Sequence, residues 1–467
     1  MSAVPTAFQQ LLDVLALDRE AGGGRICFHG SDPVVSSKFR PGEATASALA
    51  AQGLAIATIW RMRGGRGQDI SVDLRQATHV GLRTINHVRQ NGVAHELYPR
   101  SSTGLEDFYR TRDGRLFYIL RGTLFVDSIL RTLSLLGCAY ERESMAAAVA
   151  KWDGLALEDA MAERRAIGVM LRSRQEWLDH PQGALLASTP PVTVEKIGDS
   201  DPEPFGPAER PLAGIKVLDF THVLAGPVTS RTLAEQGANV LHVCAQHQPD
   251  PTRLNIDTGP GKRSTLLDVD KPAERETLLR LVREADLFVQ SWRPSSLISR
   301  SLSASDLAAI RPGLIYVSIS CYGSDGPWYD RAGYEPCGQI ACGLAGEEGT
   351  PEEPRFAVTG TLNDYLTAYL AAAGAATALI RRAREGGSYH VKASLTRTSM
   401  WLQELGQLPR KQWPEKPIPM NPLPSDLIQM ESSFGTLTLP APLTQYSETK
   451  AYWDKPPQPF GASRPHW

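Results

Sequence analysis

The 467-residue chain lacks most of the features that mark a specialised protein. It has only six cysteines, at positions 27, 138, 244, 321, 337 and 342, and no CxxC pair among them. That excludes a disulfide scaffold or zinc ribbon, and reduced, mostly buried thiols in a cytoplasmic protein are expected. The ten histidines form no HExxH or similar cluster, so no metal site is expected. No apolar run reaches the roughly 18 residues of a membrane-spanning helix, and the opening MSAVPTAFQQLLDVL reads as no secretory leader. A large charge of one sign is missing too. A formal net charge of -2 gives no reason to expect nucleic acid or an anionic membrane as partner. An anionic small ligand would need a local basic site. The phosphate-binding glycine motifs are also absent. GPGKRS at 259–264 lacks the first P-loop glycine and the Ser/Thr directly after Lys262, and no GxGxxG follows Ile215–Phe220.

What is present is ordinary globular composition, 42% hydrophobic and 21% charged, over a length sufficient for two or three domains. The chain is organised around Pro211–Val243. Ile215–Phe220 is an apolar run, a loop with Gly226-Pro227 and an amphipathic helix follow, and Asn239–Val243 is a second run. Strand, loop, helix and strand open a parallel α/β unit. The fold class expected is α/β, a Rossmann-like parallel sheet in a large domain with a smaller α+β domain. Ligands in such sheets sit where loops leave the carboxyl ends of strands, which points first to Thr221–Pro227.

Further elements can be read along the chain. Phe8–Leu17 is a helix candidate, Ile26–Phe28 a short strand, Glu43–Trp60 an Ala-rich helix and Asp69–Leu74 a strand. Phe108–Leu120 carries an Asp-Gly hairpin signal and Ser173–Leu178 a helix. A Pro-, Asp- and Glu-rich linker spans Asp199–Arg210. Ala273–Ala285 and Ser303–Ile310 are helices, Leu287–Gln290 and Leu314–Ser320 strands, and the tail after Gly406 reads as extended. Laid ungapped on Glu43–Thr78, residues 364–399 agree at 11 of 36 positions, including Gly53/Gly374 and Arg61/Arg382. This match predicts that the same helix–strand unit occurs twice.

Asp364, in GTLNDYLTAY, opens a long Ala-rich helix behind Thr361, a candidate cap. The helix dipole favours a carboxylate there and should keep it ionised. On these grounds alone it reads equally as a capping acid.

The segment LAGIKVLDFTHVLAGP closely resembles the opening signature of the class III CoA-transferase family, also called CaiB/BaiF. In that family the segment begins the protein, whereas here it lies near the middle. The resemblance divides the chain into a partial large-domain copy (1–105), a small α+β domain (106–198), a linker (199–210), a CoA-binding large domain (211–400) and an extended tail (401–467). It makes Asp364 the catalytic nucleophile. The resemblance implies that His222, Val223, Arg253, Lys262, Arg263, Ser291, Trp292, Arg300 and Tyr322 contact coenzyme A. Gln246, Ser291 and Cys321 depart from the family pattern. Gly323–Gly326 is a candidate oxyanion loop, and Glu43, aligned with Asp364, is given no catalytic role.

The activity so implied moves CoA between an acyl-CoA thioester and a small carboxylic acid, through aspartyl anhydride and aspartyl-CoA thioester intermediates. CoA is a co-substrate, no resident cofactor is expected, and a homodimer is. Two alternatives stand beside this reading. One is an acyl-CoA racemase or isomerase, disfavoured because Gly333-Tyr334-Glu335 stands where such relatives have a histidine. The other is a catalytically silent CoA-binding or interaction protein.

Overall fold

A computed structural model describes residues 5–94, 108–120, 126–245 and 249–467. Its largest sheet has seven strands, in the spatial order Lys262–Leu266, Asn239–Cys244, Lys216–Phe220, Leu287–Gln290, Ile315–Ser320, Ser388–Ser394 and Val192–Gly198. The first six run parallel and the last antiparallel. The parallel strands are buried on both faces, which is why they read as apolar runs without alternation. The expected α/β sheet is thus observed. Val192–Gly198 closes its edge, although the sequence placed that stretch in the smaller domain.

The smaller unit is a three-stranded antiparallel sheet of Phe108–Arg110, Leu116–Ile119 and Gly168–Met170. Helices Val126–Leu136, Arg142–Val149 and Gly154–Glu163 pack on it around their own core. The tail corrects its sequence reading. Leu427–Ser432 and Gly435–Pro440 form a hairpin and Thr444–Tyr446 a further strand, while 413–423 and the residues beyond Tyr446 lack regular structure.

A second, three-stranded sheet repeats one corner of the first. Ile26–His29 lies parallel to Ile70–Asp73, and Thr444–Tyr446 closes it antiparallel. Its crossover is the helix Pro41–Met62, as Leu362–Glu385 is the crossover between Ile315–Ser320 and Ser388–Ser394. The aligned glycines show why both helices can lie flat on their sheets. A Cβ on Gly53 would meet Ile70 and Thr444 at 3.0–3.1 Å, and one on Gly374 would meet Val391 and Val192 at 2.7–2.9 Å. The two helices, small-residue-rich and almost wholly buried, pack on each other and join the two parts of the chain in one core.

The linker is held rather than loose. Arg63 donates to the carbonyls of Gly206, Pro211 and Ala213 at 2.7–2.8 Å, and Glu203 pairs with Arg311 at 2.8 Å. Among the described residues no helix is long and apolar enough to cross a membrane.

Candidate active site

Asp364 stands at the third position of the helix Leu362–Glu385, beside the carboxyl end of the strand Ile315–Ser320. Thr361 does not cap this helix. Its hydroxyl lies 3.1 Å from that of Thr359 and reaches the Leu82 carbonyl at 3.4 Å. The cap comes from Glu335, whose Oε1 accepts the Asn363 N–H at 3.0 Å and an N–H of Gln339 at 2.7 Å. Glu335 Oε2 is buried and has no partner among the described residues.

This arrangement corrects the expectation of an ionised Asp364. The side chain is buried, and no hydrogen bond to its carboxylate is found among the described residues. Burial, and then the neighbouring Glu335, push its carboxyl well above the usual range. Glu335 is itself pushed up to about 7, by burial. Burial thus favours the neutral form of each acid, and the charge of Glu335 adds to that effect on Asp364.

A cavity of about 490 Å³ opens on the other side of the Cys321–Tyr322 segment. His222, Ser291, Trp292 and Tyr322 line it, together with Arg293, Tyr334 and three residues of the smaller unit, Ser128, Arg131 and Arg165. The His222 ring lies 4.3 Å from that of Trp292, and its backbone N–H donates to Ser291 Oγ at 3.0 Å. Burial holds the His222 imidazole below its ordinary pKa, which leaves it neutral. Val223 follows at φ 64, a strained value for a β-branched residue, with its N–H held by Asp250 Oδ2 at 2.8 Å. Asp364 lies behind this wall. It does not line the cavity, yet its charge reaches the Cys321 thiol, which burial, then Cys337 and, as a smaller contribution, Asp364 push up.

Four of the residues expected to meet CoA therefore share one cavity, and Val223 adjoins it. The others do not line it. Lys262 is buried, its Nζ 2.7 Å from Asp219 Oδ2 and 2.6 Å from the Pro227 carbonyl, so its charge is already used inside the sheet. Arg300 forks onto Asp270 at 2.7 and 2.8 Å. Arg263 donates to Asn239 at 3.4 Å, and Arg253 lies on the helix Thr252–Thr258. Gln246 falls outside the described residues. The loop Gly323–Gly326 turns away from the cavity, because Gln182 of the smaller unit clamps it. Gln182 Nε2 donates to the carbonyls of Tyr322 and Asp325 at 2.7 and 2.9 Å. The Gly323 N–H is taken by Ser320 Oγ at 3.1 Å, so it is not a free oxyanion donor.

Glu43, the aligned acid, is ordinary by contrast. It accepts from the Ala7 N–H at 3.4 Å and lies 3.8 Å from Arg40.

The site thus combines a strained loop, a histidine–aromatic wall and two buried acids near the carboxyl ends of parallel strands. Residues 212–417 match the model of CoA-transferase family III. An acetyl-coenzyme A transferase of Hypoxylon pulicicidum is 31% identical over 327 residues, covering 64% of this chain and 54% of that protein. An acyl-CoA transferase of Gibberella moniliformis is 31% identical over 317 residues, covering 62% and 55%. The chain thus spans about half the length of these relatives. A crystallised CaiB/BaiF family protein from Brucella suis is 31% identical, with a TM-score of 0.38 over 42% of this chain and 56% of that one.

Proposed function

We propose that the chain transfers CoA between an acyl-CoA thioester and a carboxylic acid, with Asp364 as nucleophile. The observation that carries this is the carboxylate pair. Asp364 lies in the first turn of a helix, buried, with Glu335 near it and no hydrogen bond to its carboxylate among the described residues. The family matched over 212–417 and the transferase names of the relatives support the same reading.

Charge must first move within the pair. The proton leaves Asp364, for Glu335 or for solvent, and the freed carboxylate attacks the thioester carbonyl. The C–S bond breaks, giving an aspartyl mixed anhydride and CoA thiolate. The thiolate then attacks the aspartyl carbonyl, and the original acyl group leaves as its carboxylate. An incoming acid reverses both steps and departs as the new acyl-CoA. Each step exchanges one activated acyl bond for another, so no outside energy source is needed. The His222–Trp292 wall offers a stacking surface for CoA, and access to Asp364 runs past Cys321 and Tyr334.

The test is intact-protein mass spectrometry after incubation with a panel of acyl-CoAs, with Asp364→Ala alongside. An acyl- or CoA-sized adduct that hydroxylamine removes and the variant never forms supports the reading. CoA binding without an adduct from any donor rejects it.

A further inference from the structure

The cavity is walled by two parts of the chain that meet beside it. Cys321, Tyr322, Tyr329 and Arg331 come from the loop after the strand Ile315–Ser320, and Ser128 and Arg131 from the smaller unit. Between Tyr322 and Tyr329 that loop holds no helix or strand, so its place depends on what its backbone groups bind. One side chain binds most of it. Gln182 lies on the short helix Pro181–Ala187, between the last strand of the smaller unit and the edge strand Val192–Gly198, and is wholly buried. It does not line the cavity itself.

Gln182 Nε2 donates to the Tyr322 carbonyl at 2.7 Å and to the Asp325 carbonyl at 2.9 Å, and Oε1 accepts the Trp328 N–H at 2.8 Å. A side-chain amide offers two donors and an acceptor in one plane. A glutamate would turn acceptors toward both carbonyls, and a methionine would bind none of the three groups. The loop comes this close because glycine stands at its two nearest points, both left-handed, with φ 97 at Gly323 and 84 at Gly326. A Cβ on Gly326 would meet Gln182 Oε1 at 2.6 Å, and one on Gly323 would meet Leu186 at 2.9 Å. Trp328, held by its N–H, sets its ring 4.9 Å from that of Tyr322, and the Arg331 guanidinium lies over it at 4.2 Å. The clamp therefore reaches two residues of the cavity wall, Tyr322 through its carbonyl and Arg331 through Trp328.

Resting on the transferase reading above, we infer that Gln182 is a positioning residue for the binding of CoA. It touches no substrate. It holds the loop from Tyr322 to Trp328 against the smaller unit, so that the cavity is formed before the ligand arrives. Without its three bonds the loop takes other positions, and affinity falls with the fraction of molecules in which the cavity is formed. A bound ligand holds the loop itself, so the step at Asp364 then proceeds as before. The signature is a higher KM for acyl-CoA with kcat retained. A residue needed only for folding would instead lower the amount of active protein, and so kcat, at unchanged KM.

The experiment compares the parent with Gln182→Met, which keeps the length of the side chain, and Gln182→Glu, which keeps its shape. Binding of CoA is measured by calorimetry on protein that also carries Asp364→Asn, so no turnover is needed. Each Gln182 substitution should weaken CoA binding about ten-fold, as loss of one or two net hydrogen bonds implies. In turnover with intact Asp364, the KM for acyl-CoA should rise by the same factor while kcat stays within about two-fold. Hydrogen exchange should show the Trp328 amide losing protection in Gln182→Met and regaining it with CoA. The amides of Leu116–Ile119 and Gly168–Met170 should stay protected throughout, which separates a freed loop from a misfolded unit. Unchanged CoA affinity, a fall in kcat at constant KM, or unfolding of both variants would overturn the proposal. CoA binding that depends on Gln182 in this way, without any Asp364 adduct, would reject the transferase reading alone. Absence of CoA binding in the parent would overturn both.

Discussion

Two helices in this chain begin the same way and end in different chemistry. Pro41–Met62 and Leu362–Glu385 each carry an acid at the third position, Glu43 and Asp364. Neither is capped by its own N-cap residue. Each borrows a carboxylate from another segment, Asp32 in a loop and Glu335 at the start of the helix Glu335–Ala341. Asp32 accepts the N–H groups of Gly42 and Glu43 at 3.2 and 2.8 Å, and Glu335 accepts that of Asn363 at 3.0 Å. Burial raises both borrowed acids, Asp32 to about 6 and Glu335 to about 7. The difference lies in the third-position acid. Glu43 has Arg40, the Ala7 N–H and some solvent, whereas Asp364 is buried with no bonding partner among the described residues. The surroundings of a first-turn acid, and not its place at a helix start, therefore set its protonation.

The comparison can be broken most sharply at the two acids themselves. Asp364→Ala should lower transfer by about a thousand-fold or more, as loss of a nucleophile does, while Glu43→Ala leaves turnover unchanged. Steady-state kinetics with one acyl-CoA and one acid decides it, and comparable losses in both variants would erase the distinction.

A smaller effect is expected at Glu335. Because Asp364 is raised by burial and then by its neighbour, its carboxylate forms only as pH rises, and adduct formation should climb with pH. Glu335→Gln removes the competing charge and should move that rise to lower pH. Glutamine keeps an acceptor for Asn363 and Gln339, so the helix start survives. Stopped-flow quenching from pH 5 to 9 reads the shift, and an unmoved profile would dissociate the pair.

Stability supplies a third test. A carboxyl whose folded pKa is raised binds its proton more tightly in the folded state, so its contribution is full at low pH and is lost as pH rises. For Asp32 the loss should fall between about 4 and about 6, and for Glu335 between about 4.5 and about 7. Urea unfolding midpoints at pH 4 and pH 7 should therefore differ less in Asp32→Asn than in the parent. The smallest effect belongs to Arg40→Ala. It removes a long, partly exposed pair at 3.8 Å and should cost about 0.5 kcal/mol or less.

Most of the architecture was legible because the parallel strands are buried on both faces and show as unbroken apolar runs. Ile215–Phe220, Leu287–Gln290 and Leu314–Ser320 each fall within about a residue of the observed strands. The hairpin in the tail was not, since Leu427–Ser432 is half-exposed and lies among prolines. At the site, His222, Ser291, Trp292 and Tyr322 were found through a motif, and the structure brings them together. Lys262 and Arg300 lie outside the cavity, each bound to an acid the sequence does not bring near it, Asp219 and Asp270, 43 and 30 residues away in the chain. Glu335 left one trace, an acid directly after Gly333-Tyr334, but its capping of the Asp364 helix depends on a tertiary contact. Arg131 and Arg165 left none, for only the docking of the smaller unit brings them to the cavity.

The central claim is that Asp364, and not its counterpart Glu43, carries a covalent acyl bond. Protein incubated with acyl-CoA would be quenched with borohydride, which reduces an aspartyl thioester or anhydride to the alcohol, and mapped by peptide mass spectrometry. The account predicts conversion of Asp364 to homoserine with Glu43 intact. Reduction at Glu43, or at neither residue despite turnover, would contradict it.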